Sequence, residues 1–146
     1  VAGLSVRPAV ARDLASLRTI YLESRAQTFH WLDKSQLLPE DFDRDSEGEL
    51  VLVAEKDSRI LGFAGIWVPD HFIHHLYVHP DCARQGVGAA LLHACYEAFP
   101  SPPALTLKCI SENEAALAFY RSQGWRIIEE GSGPNGPYFL MEHRAL

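Results

Sequence analysis

The sequence predicts an α/β (α+β) domain of about seven short strands interleaved with helices, in one unit spanning residues 1–146. Three observations predict it. Short runs rich in β-branched residues alternate or stay apolar, as strands do. The apolar period switches to that of a helix three times along the chain. The composition, 47% apolar and 22% charged, is that of a chain able to bury one core.

Taken in order, residues 3–7 alternate as a first strand that Pro8 ends, and Leu14, Leu17 and Tyr21 then recur at helical spacing. Residues 29–45 mix aromatic and acidic side chains with Pro39 and read as a short helix or an irregular loop. The runs 50–54 (LVLVA) and 60–67 form a hairpin about the polar stretch 55–59. Residues 72–78 (FIHHLYV) are the next strand, stopped at His79-Pro80. From Val87 the residues Leu91, Ala94, Cys95 and Ala98 line one face of a helix reaching about residue 99. Pro100, Pro102 and Pro103 end it, and 104–110 (ALTLKCI) returns to a strand. Residues 111–113 can cap a helix that carries Ala116, Phe119 and Tyr120 and stops at Gly124. Residues 126–130 and 138–143 close the chain as a hairpin around the turn-rich GSGPNGP.

Charge narrows the partners. With 13 Lys+Arg against 19 Asp+Glu the chain carries a net charge of −6, so it has no surplus of cations for a nucleic-acid backbone or an anionic membrane, and neither is expected as a partner. The longest apolar run, residues 60–68, falls short of the ~20 residues a membrane span needs. No basic start followed by an apolar stretch opens the chain, which sets the expectation of a cytoplasmic protein. Cys82, Cys95 and Cys109 contain no C-x-x-C pair and are expected to be three reduced thiols.

The segment richest in chemical meaning is a strand, a short loop and ARQGVGAALL opening a helix. The first amides of a helix lack internal partners and sit at the positive end of its dipole, so this junction is suited to an anion. Gly86 and Gly88 remove side chains where a diphosphate would approach the backbone; tight helix–strand packing is the plainer explanation of the same glycines. A nucleotidase P-loop is excluded, because no Gly-Lys-Ser or Gly-Lys-Thr occurs. A dinucleotide loop fits poorly: the glycines follow the fourth predicted strand, and residue 91 is leucine.

LYVHPDCARQGVGAALL followed by ISENEAALAFYRSQGW resembles the two signature blocks of the GNAT superfamily of N-acetyltransferases. The first block carries the strand, V-x-P and glycine loop; the second carries Asn113, Ala116, Tyr120, Gly124 and Trp125 at the family spacing. The resemblance covers nearly the whole chain and departs at Ala83, where the family usually has Gln or Arg. It implies a mixed, mostly antiparallel twisted sheet with helices on both faces. It also implies an acyltransferase, using acetyl-CoA as co-substrate and no metal, that acetylates a primary amine of a small molecule or peptide. A homodimer is compatible with the family. A catalytically silent acyl-CoA-binding or sensory module is the alternative, and an acyl group longer than acetyl stays open.

The resemblance further implies that the strand ending at Val78 splays from its neighbour. The pantetheine arm would bond the main chain from Leu76 through Tyr77 to Val78, an edge addition that needs no particular side chain. The diphosphate would meet the amides of Arg84, Gln85, Gly86, Val87, Gly88 and Ala89, with Arg84 and Arg121 near its charges, and Asn113 and Ala116 beside the arm. Asn113 could equally be a helix cap. Tyr120 would protonate the departing thiolate, or else serve as a core aromatic.

The attacking amine must be neutral, and a lysine-like amine of pKa ~10.4 needs a stronger base for this than an α-amine of pKa ~7.8. His74 or His75 lies on the strand beside the expected thioester; strand alternation lets at most one reach it, and His74 is preferred. The same alternation should scatter His71, His74, His75 and His79 over two faces and so argues against a metal site. Tyr21, Phe29 and Trp31 could line an acceptor pocket but more often such residues are core.

Overall fold

A computed structural model describes residues 3–28, 34–82, 85–99 and 104–144. The apolar runs form β1 (Ser5–Pro8), β2 (Leu50–Lys56), β3 (Arg59–Trp67), β4 (Phe72–Val78), β5 (Leu105–Ile110), β6 (Arg126–Gly133) and β7 (Gly136–His143). The helical stretches become α1 (Leu14–Thr28), α2 (Asp41–Asp45), α3 (Val87–Glu97) and α4 (Glu114–Ser122). One seven-stranded sheet has the order β1-β2-β3-β4-β5-β7-β6. Every pairing in it is antiparallel except that of β4 with β5.

Local chemistry explains the turns. Asp57 and Ser58, both at positive φ (52° and 64°), make the two-residue turn whose twist suits the β2–β3 hairpin. The turn-rich stretch 131–137 is shorter as a loop than its composition implies. Gly131 to Gly133 pair with Tyr138 to Gly136, so only Pro134 and Asn135 turn. The ring of Tyr138 fills the space above Gly131, which lets a glycine-rich segment pair as a strand.

The helices cover both faces of the sheet. Leu17, Ile20 and Tyr21 of α1 and Phe42 of α2 pack on Val53 and Phe63. On the opposite face α3 buries Val87, Leu91 and Cys95 against Leu52, Ala64 and Ile66, and α4 adds Ala116, Leu117 and Phe119. Cys82, Cys95 and Cys109 are buried and unpaired; burial pushes the Cys109 thiol up to about 11. No described helix is long and apolar enough to cross a membrane.

The start of the chain is held by charge. The two terminal guanidinium nitrogens of Arg7 on β1 donate to the Asp13 carboxylate at 2.8 and 3.0 Å, and one also reaches Glu55 of β2 at 2.8 Å. The Val10 amide donates to Asp13 as well, and these bonds hold the buried Asp13 carboxyl down at about 2. Because that value lies below the unfolded one of 3.8, Asp13 contributes stability above pH 3.8 that is lost as pH falls through about 2. Asp13→Asn is therefore expected to lower the thermal midpoint at neutral pH, and the gap to wild type should close progressively below pH 3.8. Melting curves across that range check it.

Candidate active site

The site grows from a strand pair that stays together for only two residues. Phe72 faces Thr106 and Ile73 faces Leu107, and beyond them β4 and β5 part. The hydrogen-bond phase of β4 follows from its other neighbour. The His79 amide donates to the Leu61 carbonyl at 2.8 Å, so by antiparallel alternation Tyr77 bonds toward Phe63. The main-chain groups of Leu76 and Val78 consequently point away from β3, into the gap. The Val78 carbonyl there accepts only a long bond of 3.4 Å from the Ser24 hydroxyl among the described residues.

Three cavities run through this gap. The central one, about 220 Å³, lies between Leu76 and Val78 on one side and Leu107 and Cys109 on the other, with Tyr120 and His74 both at its wall. A second, about 400 Å³, shares Leu76, Val78, Asn113 and Tyr120 with it and extends to Gly86, Val87, Gly88 and Ala89. A third, also about 400 Å³, shares His74, Tyr77 and Lys108 with the central cavity and opens between Tyr21, His75 and the β6–β7 turn.

At the α3 end, Gly86 caps the helix at φ 79°, and the first helical bond is from the Ala90 amide to the Gly86 carbonyl. The amides of Val87, Gly88 and Ala89 are thus left without helical partners. Gly88 packs closely under α4, where a Cβ would sit 3.0 Å from the Phe119 ring. Gln85 and Arg121 are exposed and line none of the three cavities. Ala83, Arg84, Phe29 and Trp31 lie outside the described residues. Asn113 does cap α4: its side-chain oxygen accepts from the Ala116 amide at 3.1 Å, while the residue also borders two cavities. Tyr120 stands between Phe119 and Trp125 as a core aromatic and faces the gap as well, its phenol pushed well above its ordinary value by burial.

The two histidines depart from the alternation expected of them. Gly65 pairs with His75, but Ile66 pairs with Ile73, so β4 has one residue more than β3 and His74 is the bulge. Both imidazoles then gather on one carboxylate. Nδ1 of His74 is 2.5 Å from Glu49 Oε2, Nδ1 of His75 is 3.0 Å from Oε1, and the rings are 4.0 Å apart. His75 is buried, its ring edge-on to Tyr21, whereas the His74 side chain is 48% exposed. Burial would push the Glu49 carboxyl up, but the hydrogen bonds to His74 and His75 outweigh it and hold it at about 2. The bond to Glu49 raises His74 above its ordinary value against the opposing effect of burial.

The scatter argument against a metal therefore fails for this pair: donor atoms of Glu49, His74 and His75 lie within 4.8 Å of one another, a set zinc could use. Nδ1 of each ring is already engaged with one oxygen of the Glu49 carboxylate. His79 instead pairs with Glu23 at 2.7 Å, and the His71 ring packs on Phe99. Tyr21 is core, as the commoner expectation had it, yet its ring also walls the third cavity and its hydroxyl donates to Asp45 at 2.6 Å. Glu49, Gly65 and Lys108 carry no motif in the sequence; the bulge adds His74 to the carboxylate that His75 also meets.

Residues 14–125 match the model of the Acetyltransferase (GNAT) family. The chain is 26% identical over 130 residues to the peptidyl-lysine N-acetyltransferase YiaC of Escherichia coli (strain K12), covering 85% of this chain and 84% of that protein. Its fold is similar to that of a GCN5-related N-acetyltransferase from Rhodopseudomonas palustris, with TM-score 0.79, 24% identity, and coverage of 99% of this chain and 97% of the other. It is also similar to the PaiA N-acetyltransferase of Thermoplasma acidophilum in complex with coenzyme A, with TM-score 0.77, 22% identity, and coverage of 97% and 99%.

The open edge of β4 rests on Gly62, which pairs with Val78; a Cβ on Gly62 would lie 2.6 Å from the Tyr77 carbonyl and 3.2 Å from both Val78 Cα and Val87. Backbone cannot step aside as a flexible side chain can. Gly62→Ala is expected to cost about 1–3 kcal/mol of stability in urea unfolding, as overpacked cores do.

Proposed function

The chain belongs to the Acetyltransferase (GNAT) family and is an acyltransferase, and we propose that it transfers acetyl from acetyl-CoA directly to a primary amine of a small molecule or peptide. The observation that carries this reading is a single cavity with the stretch of β4 from Leu76 to Val78, beyond its pairing with β5, along one side, and with Tyr120 and His74 both at its wall. The coenzyme A complex of a similar fold supports the cofactor class. The likeness to a peptidyl-lysine N-acetyltransferase supports a lysine side chain as acceptor.

On this reading acetyl-CoA brings an activated thioester, and the protein positions, polarises and moves protons. Leu76 and Val78 hold the amide-bearing arm as a partial extra strand, with Tyr77 between them keeping β4 on β3. Asn113 and Ala116 form the opposite wall. The amides of Gly86, Val87, Gly88 and Ala89, which border the second cavity, hold the anionic end, and the exposed Gln85 and Arg121 lie outside that cavity's wall. In a chain of net charge −6, a local cluster of donors at a helix start is the economical way to hold a diphosphate.

Tyr120 supplies the proton for the leaving sulfur. With a phenol near pKa 10 and a thiol near 8.5, full transfer is uphill by about 2 kcal/mol in water. Burial raises Tyr120 and keeps it protonated at neutral pH. A thiolate in the same apolar surroundings is destabilised too, so it becomes a better proton acceptor and the mismatch does not grow in proportion. His74 takes the proton of the acceptor amine. A lysine-like ammonium gives up its proton at a cost of about 4.6 kcal/mol at pH 7, which is where a base strengthened by a carboxylate contributes.

Tyr120→Phe is expected to lower kcat about 100-fold while the affinity for coenzyme A, followed by calorimetry, stays as in wild type. Thiol release with a panel of amines and lysine peptides reads the activity. A wild-type protein that binds coenzyme A yet turns over none of them would instead identify a silent acyl-CoA-binding module.

A further inference from the structure

We infer that Glu49 is the positioning residue of the base: it holds the His74 proton on Nδ1 and so presents a bare Nε2 to the acceptor amine. The inference rests on the acetyl-transfer reading and adds to it the group that makes His74 competent. Glu49 stands just ahead of β2, and its side chain is 3% exposed although its only ion-pair partners among the described residues are His74 and His75. A carboxylate only accepts hydrogen bonds, so a neutral imidazole 2.5 Å from it at Nδ1 carries its proton there. An imidazole without such a partner carries its proton mainly on Nε2, where it could not act as a base toward the cavity.

Three features built into the strands produce the arrangement. The β4 bulge turns His74 to the same side as His75. Gly65 leaves the space in which the carboxylate sits, because a Cβ there would collide with Glu49 Oε1 and lie 3.0 Å from His75 Nδ1. His75 occupies the second carboxylate oxygen and fixes its rotation.

The proton balance is closed within the cluster. With both rings neutral it carries one negative charge, and when the N–H bond of the acceptor ammonium breaks and an Nε2–H bond forms on His74 the cluster becomes neutral. Other groups facing His74 modulate this. Asp45 favours the imidazolium, Lys108 opposes it, and the phenols of Tyr21, Tyr77 and Tyr138 line the same cavity.

Nitrogen-15 spectra of the His74 ring, assigned with His74→Gln, test the inference. Wild type is expected to show the Nδ1–H tautomer, and Glu49→Ala a mixture dominated by Nε2–H. Glu49→Gln, which keeps the shape and removes the charge, should move the His74 titration to lower pH. The acidic limb of kcat should move with it, and the plateau should fall about tenfold or more. Gly65→Ala, which displaces the carboxylate without altering its charge, should shift the His74 titration in the same direction and serves where a Glu49 variant folds poorly. An Nε2–H tautomer in wild type, or a His74 titration unmoved in these folded variants, overturns the inference and leaves the outcome with Tyr120→Phe untouched. Absence of any amine turnover, with the tautomer as stated, overturns the acetyl-transfer reading instead.

Discussion

The parting of β4 from β5 after Ile73 and Leu107 is the constraint on which the rest depends. A sheet that continued pairing would consume the main-chain groups of Leu76 and Val78 and close the space now shared by Tyr120 and His74. Two neighbours keep the separation open. β5 is committed along its full length to β7, from Leu105 with His143 to Ile110 with Tyr138. β4 is committed to β3, where Gly62 permits a close approach. Unpaired strand edges are ordinarily a hazard, and here the gap is shielded by α1 through Ser24 and by α4 through Asn113 and Ala116.

The bulge at His74 is the second half of the same design. Along β4, Ile73, Leu76 and Val78 pack with the α3 and α4 face, while His75 and Tyr77 meet Tyr21 on the α1 face. Strict alternation cannot put Ile73 and Leu76 on one side; one extra residue can. The core positions on either side of His74 are thereby satisfied. The residue between them is freed for a polar partner, and Gly65 supplies the room for that partner to be Glu49.

Much of this was legible in the sequence because it is periodic or punctuated. The seven strands, the helices after Leu14, Val87 and Asn113, and the order of the two glycine- and tyrosine-bearing blocks all follow from apolar spacing, proline stops and motif resemblance. The register was not legible. A bulge leaves no mark in FIHHLYV, and the assumption of period two put His74 and His75 on opposite faces. Glu49 was hidden for a related reason: it lies 25 residues from His74 in the chain, in an acidic stretch where one more carboxylate reads as solvated surface. The glycines illustrate a subtler limit. Spacing alone could not say that Gly88 lies against the Phe119 ring, or that Gly86 needs its glycine for a positive φ.

Acid and base roles separate when environments drive two groups in different directions, and the splayed strands create two such environments a few residues apart. On the α4 side Tyr120 meets apolar neighbours and the buried Cys109, and burial keeps its phenol protonated. On the α1 side His74 is half exposed and bonded to a carboxylate, which favours the ring accepting a second proton. Had His74 followed the alternation of its strand, it would share the face of Leu76 and Val78 and crowd the side proposed for the pantetheine arm. On the proposed reading the extra residue in β4 thus allocates the faces: one for the arm and the acid, the other for the base and the incoming amine. The gap between β4 and β5 is the only passage needed between them.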